Sequence, residues 1–171
     1  MREIKFNELS KEMLEQLTKG AFLTVKDKDG NLNTMTIAWG SLGYMWRIPV
    51  FMVMVRYSRH TYKLIENTDE FSVSFPLNEQ LKKELGICGT KSGRDMDKFK
   101  ECNLTPQKAQ KISTPVIGEC DLHLECKIAY KQAMEPQFIM SDKVNEVYGT
   151  ERDYHVLYYG EILACYVSLK K

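Results

Sequence analysis

The run Val50-Phe51-Met52-Val53-Met54-Val55 is apolar at every position, so a strand built from it has no face to give to water and must be covered on both sides. Several other segments have to supply that cover. Residues 21–26 read as a strand, Asp27-Lys28-Asp29-Gly30 as a turn, and residues 33–41, rich in Thr, Ile and Trp, as a second strand completing a hairpin. Residues 71–75 form a further strand closed by Pro76. Leu122, Leu124, Cys126 and Ile128 alternate with His123, Glu125 and Lys127, the pattern of a half-buried antiparallel strand. Residues 156–167 make a long strand interrupted by Gly160, where a bulge or a close backbone approach is expected.

Helices fall between these strands. Residues 7–19 place Leu9, Met13, Leu14 and Leu17 at helical spacing and stop at Gly20. Shorter helices are expected over 61–67, from a cap at Asn78 through Leu85, over 95–102 and over 136–148, with an exposed loop at Lys91-Ser92-Gly93-Arg94. Six or so strands with short connections predict a mainly β fold: an antiparallel barrel with helices packed outside, since closure removes exposed edges. The 171 residues carry no linker composition, so one domain over 1–171 is expected.

Charge narrows the function. Lys and Arg total 24 against 23 Asp and Glu, a balance that argues against nucleic acid as the main partner. The charged start Met1-Arg2-Glu3-Ile4-Lys5 lacks a signal-peptide core and no stretch is apolar enough to span a bilayer, which predicts a cytoplasmic protein without a membrane partner. Five cysteines without a Cys-x-x-Cys pair suggest reduced, mostly buried thiols, and His60, His123 and His155 have no metal-ligand spacing. No Gly-x-Ser-x-Gly elbow is present, and Thr90 before Lys91 breaks the P-loop pattern. The methionines, Met45, Met52 and Met54 among them, and Trp46 read as packing.

Three segments carry chemistry. Arg56-Tyr57-Ser58-Arg59-His60-Thr61 follows the buried strand and enters a helix, bringing two guanidinium groups and hydroxyls to one point, a composition suited to a phosphate or to a solvated, capped loop. Asn33-Thr34-Met35-Thr36-Ile37-Ala38-Trp39-Gly40 alternates short polar groups and ends on an aromatic wall, which suits a flat heteroaromatic ligand or an ordinary strand. Gly89 to Phe99 is a basic, glycine-flanked loop whose Lys91 and Lys98 either approach an anion or are surface lysines.

In this order the segments resemble the flavin reductase-like, FMN-binding split-barrel family, particularly its flavoredoxin-like branch. The matching pieces are the Asn-x-Met-Thr-x-x-Trp stretch at 33–39, Arg-x-Ser-Arg-x-Thr at 56–61, Ser92-Gly93-Arg94-Asp95-x-Asp97-Lys98-Phe99, Leu124-Glu125-Cys126-Lys127, and Asp153-Tyr154-His155 through Gly160-Glu161-Ile162. The resemblance implies a split β-barrel with FMN as cofactor. Asn33, Thr34, Met35, Thr36, Ala38 and Trp39 would line the ring or ribityl chain, Arg56, Ser58, Arg59, His60 and Thr61 would hold the phosphate, and Lys91, Ser92 and Lys98 would add to the site. The family's Gly-Asp-His triplet becomes Arg152-Asp153-Tyr154-His155, with one residue inserted, and His155 would contact the ring or an incoming nicotinamide, or simply pack. A homodimer is implied, with each flavin near the interface. Two redox tasks follow, a reductase taking hydride from NAD(P)H or a carrier exchanging electrons with a redox protein. A non-catalytic flavin or ligand-binding module that signals to a partner is the alternative, and a purely structural dimeric barrel a third.

Overall fold

The computed structural model describes residues 1–78 and 80–168. In chain order the elements are β1 (Arg2–Glu3), α1 (Ser10–Leu17), β2 (Ala21–Lys26), β3 (Leu32–Ile37), β4 (Gly40–Met45), β5 (Ile48–Arg56), α2 (His60–Ile65) and β6 (Glu70–Phe75). There follow α3 (Lys82–Thr90), α4 (Lys98–Glu101), β7 (Pro106–Gln107), β8 (Val116–Ile117), β9 (Leu122–Ala133), a 3-10 turn (Pro136–Phe138), α5 (Asp142–Tyr148) and β10 (His155–Val167). No helix among the described residues is long and apolar enough to cross a membrane.

Antiparallel pairing gives the order β3-β2-β6-β9-β10-β5-β4, with β1 joining β10. β5 and β6 are not neighbours in that order, yet the Phe51 and Phe75 rings meet edge to face at 5.8 Å. The sheet therefore curls round a shared core of Leu23, Val53, Phe71, Val73, Leu124 and Tyr158, all wholly buried. β3 and β4 stay unpaired with each other, which leaves the barrel open along a seam bridged by Ala38 and Trp39.

The expected strand over 33–41 is two strands. Ile37 ends β3, and Gly40 starts β4, which returns as a hairpin with β5 in the register Met45↔Ile48. The two-residue turn is Trp46-Arg47, both at positive φ (51° and 65°), the backbone of a mirror-image turn that Asn-Gly would ordinarily occupy. Met45 and Trp46, expected to pack, are exposed.

The alternation in β9 also needs correction. His123 and Glu125, expected on a wet face, have no exposed surface, because the segment after α4 folds over that side of the sheet. Its backbone satisfies the polar groups beneath it. Glu125 accepts from the N–H groups of Gln110 (2.7 Å) and Lys111 (2.6 Å) and from the Tyr166 hydroxyl (2.7 Å). Ser72 donates to the Pro115 carbonyl at 2.6 Å, and the Ser74 hydroxyl accepts from Ile117 N–H at 3.1 Å.

The helices keep different bounds from those their periodicity suggested, most of them shorter and α3 shifted to end at Thr90 instead of Leu85. α4 begins at Lys98, with the Asp97 carboxylate accepting from the N–H groups of Phe99 and Lys100. α3 begins at Lys82 and not beside Asn78, whose side chain is tied to Asp121 at 3.1 Å; residue 79 lies outside the described residues. The expected helix over 136–148 breaks between Phe138 and Asp142.

Gly160 stands at a register shift between β9 and β10, as its position in the strand suggested. A Cβ there would fall 2.7 Å from Cys126 Cβ and run into the Phe71 ring. Gly160→Ala is expected to destabilise the fold by about 1–3 kcal/mol, the range for overpacking a filled core, read from the urea midpoint at unchanged m-value.

Candidate functional site

Where the barrel is open, β3, the β5–α2 junction, the C-terminal end of α3 and the start of β10 surround a cleft with two contiguous parts. The larger, of about 390 Å³, is walled by Met35, Thr36, Ala38 and Trp39 on one side and by Arg56, Ser58, Arg59 and His155 on the other. A smaller pocket of about 120 Å³ is formed by Asn33, His60, Thr61, Lys91, Ser92 and Lys98, with Gly93 and Arg94. Met35, Ser58 and Arg59 line both parts, so the two are one path.

All the expected site residues except Thr34 lie on this path. Thr34 is fully buried, its hydroxyl donating to the Leu23 carbonyl at 3.2 Å and lying 3.2 Å from the Thr24 hydroxyl, so its side chain belongs to the barrel. Asn33 and Met35 occupy the opposite face, and Thr36, on Thr34's own face but nearer the end of β3, reaches the cleft.

Several of the residues are already engaged in holding the walls. Thr36 donates to the Leu85 carbonyl at 2.6 Å, fixing β3 to α3. Asn33 donates to the Thr61 hydroxyl at 2.8 Å, fixing β3 to α2. Ser58 donates to the Asp153 carboxylate at 2.5 Å, tying the β5–α2 junction to the approach to β10. Lys98 is buried, and its ammonium donates to the carbonyls of Thr34 (3.0 Å) and Cys88 (2.9 Å).

Charge in the smaller pocket is one-sided. Arg59, Lys91, Arg94 and Lys98 form no ion pair among the described residues, and the guanidinium groups of Arg59 and Arg94 reach only the carbonyls of Gly89 (3.0 Å) and Ser58 (3.2 Å). Burial, helped by Arg59, lowers the Lys98 pKa. Burial, then Arg94, Lys98 and Lys63, lowers that of His60. His60 Nδ1 is buried and has no hydrogen-bond partner among the described residues. Gly93 closes the pocket where a Cβ would come within 2.8 Å of Asn33 Cγ and 3.0 Å of His60 Cδ2, so no larger residue fits that wall.

The larger part is aromatic and mixed in charge. Trp39 is 45% exposed and lies 5.4 Å from the His155 ring, tilted by 58°. Met54, Glu151 and Asp153 also line it and were not expected. Met54 sits in an apolar strand that reads as core, and the two carboxylates lie in an irregular approach to β10 where no spacing marks them.

Comparison with known proteins decides the family. The model of the flavin reductase-like domain matches residues 16–171. The chain belongs to the flavin reductase-like family. An uncharacterized protein from Archaeoglobus fulgidus is 32% identical over 131 residues, 77% of this chain; the chain spans only 63% of that protein's length. Flavoredoxin from Methanosarcina acetivorans superposes with a TM-score of 0.67 at 27% identity, covering 87% of this chain and 68% of that one. The FMN-binding protein from Thermus thermophilus, with bound 1-cyclohex-2-enone, gives 0.66 at 20% identity, covering 86% and 68%. These are split-barrel flavin reductase-like folds, which is the architecture described above.

Two histidines give the flavin reductase-like chain a pH signature. Burial, reinforced by Arg56 and Arg59 and opposed by Asp153, lowers His155 from 6.5 to about 4, and burial lowers His123 likewise to about 4. Their neutral forms are favoured by folding, so the stability they contribute is full above 6.5 and is lost as pH falls from there towards about 4. An NMR titration of the ring protons is expected to place both midpoints near 4, with the urea midpoint falling across the same interval.

Proposed function

We propose that this chain binds FMN along the cleft and works as a flavin reductase or a flavoredoxin-type electron carrier, drawing electrons from NAD(P)H or from a protein donor in the cytoplasm. The observation that carries this reading is the junction of an aromatic-walled space with a cation-rich pocket through Met35, Ser58 and Arg59. A phosphate fits the pocket: it would offset four unpaired cations and accept from the orphaned His60 nitrogen in its protonated form. α2 has only six residues, so the cationic side chains, more than a helix dipole, supply the attraction.

The flavin, when bound, supplies two-electron and one-electron redox chemistry. The protein supplies position. Arg59, Arg94, Lys91 and Ser92 would hold the phosphate, with Lys98 lending its charge from behind. Asn33 and Thr36 brace the wall on which Met35, Ala38 and Trp39 would meet the ring and ribityl chain. Arg56, with no ion pair among the described residues, places positive charge beside the ring's site, where it favours an anionic reduced ring.

A homodimer is part of the same reading, and exposed aromatic surface is what supports it. Trp46, Tyr130 and Tyr159 cluster at centroid separations of 5.7–6.0 Å, and Tyr44 (65%), Phe138 (73%) and Met140 (94%) are also left exposed. Light scattering is expected to give twice the chain mass, and Trp46→Glu to shift it towards the monomer.

Binding is tested by fluorescence titration with FMN and with riboflavin, which lacks the phosphate. Arg59→Ala is expected to weaken FMN about ten- to hundredfold, as the loss of a charged hydrogen bond does, and to leave riboflavin unchanged. Equal weakening of both would remove the phosphate assignment. Bleaching of bound FMN by NADH or NADPH would establish the reductase, bleaching only by a reduced redox protein the carrier. Resistance to every donor would favour a non-catalytic flavin-binding module.

A further inference from the structure

His155 is held by a hydrogen-bond chain that dictates which of its nitrogens carries the proton. Its Nδ1 lies 2.7 Å from the Tyr148 hydroxyl, and that hydroxyl lies 3.0 Å from the Met134 sulfur. The Met134 N–H donates in turn to the His155 carbonyl at 3.1 Å, so the three residues form a closed unit. Tyr148 is buried, packed edge-on to the His155 ring (5.6 Å), against Tyr154 (4.8 Å) and beneath the Arg56 guanidinium (5.4 Å).

The hydroxyl has one proton, and thioether sulfur only accepts. If that proton pointed at Nδ1, oxygen and sulfur lone pairs would face each other at 3.0 Å with no hydrogen between them. Both contacts become hydrogen bonds only if His155 Nδ1–H donates to the tyrosine oxygen and the tyrosine O–H donates to sulfur. Nδ1 then bears the proton of the neutral ring. Nε2, without a partner among the described residues, is a bare lone pair on a ring that lines the cleft beside Trp39. Burial and the nearby Arg56 oppose a second proton at neutral pH.

We propose that Tyr148 is a positioning residue that holds His155 in the Nδ1–H form, so that Nε2 accepts a hydrogen bond from an amide or imide N–H of a planar ligand lying along Trp39. This rests on the redox reading above in its ligand half only. Two N–H sources share the chemistry, the imide of the flavin ring and the carboxamide of a reduced nicotinamide.

Two-bond proton–nitrogen correlation on the ligand-free protein tests the first half. His155, one of three histidines, is expected to show a protonated Nδ1 and a bare Nε2, and Tyr148→Phe to move the proton towards Nε2. A protonated Nε2 in the unsubstituted protein, or nitrogen shifts indifferent to Tyr148→Phe, would overturn it. For the second half, dissociation constants are compared for FMN against N3-methylated FMN, and for NADH against its nicotinic-acid counterpart. The unsubstituted protein should favour the N–H partner of one pair by roughly three- to tenfold, and His155→Ala should erase that preference. A preference in neither pair, or one that survives in His155→Ala, would overturn the acceptor role. A chain that binds no FMN at all would sink the redox reading and the ligand half with it, while the nitrogen shifts would still decide what Tyr148 does.

Discussion

The Phe71 ring rests against the bare Cα of Gly160, and the architecture of the site follows from that contact. With no side chain at that point, β10 passes β9 through a register shift, and its first half lies between β9 and β5, paired with both. The same path carries His155 to the barrel mouth, opposite Trp39 and beside Arg56, its partner in the register. A core contact thus sets the position of a cleft residue several positions away along the strand.

The cleft is held apart by hydrogen bonds between its walls and left charged by its cations. Asn33 to Thr61, Thr36 to Leu85 and Ser58 to Asp153 join elements distant in sequence, so the walls are set before any ligand arrives. Lys98 shows the cost of this arrangement. Its ammonium is removed from water, satisfied only by carbonyl dipoles, and close to other cations, a state that an anion in the neighbouring pocket relieves. An anion bound here would relieve repulsion already present in the empty protein, in addition to the contacts it made.

Much of this was legible in the amino-acid order. The β2–β3 hairpin, the doubly apolar β5 and the irregularity at Gly160 follow from local patterns, and all of 33–39 and 56–61 but Thr34 and Tyr57 fall on one path because the strand ends that carry them meet at the barrel mouth. What escaped notice did so for physical reasons. β4 was hidden because its hairpin turns on Trp46-Arg47, a pair that carries no turn signal and adopts positive φ regardless. Thr34 looked like its neighbours because composition does not reveal which face of a strand is wet. Glu151 and Asp153 come from the irregular stretch between α5 and β10, and Tyr148 from the last turn of α5, whose placement against His155 depends on tertiary contacts. His123 and Glu125 read as surface because alternation assumes that one side of a sheet meets solvent.

That last assumption fails because the segment between α4 and β9 is a second skin. Its small β7–β8 sheet and flanking turns look, from composition, like the connection a protein engineer would shorten or open for a fused domain. Yet it answers Glu125, Ser72 and Ser74 with its own main chain, from beneath which water is excluded. Trimming it would strand a carboxylate and two hydroxyls in a dry interior, so this stretch has the length tolerance of a core strand, and insertions belong elsewhere on the molecule.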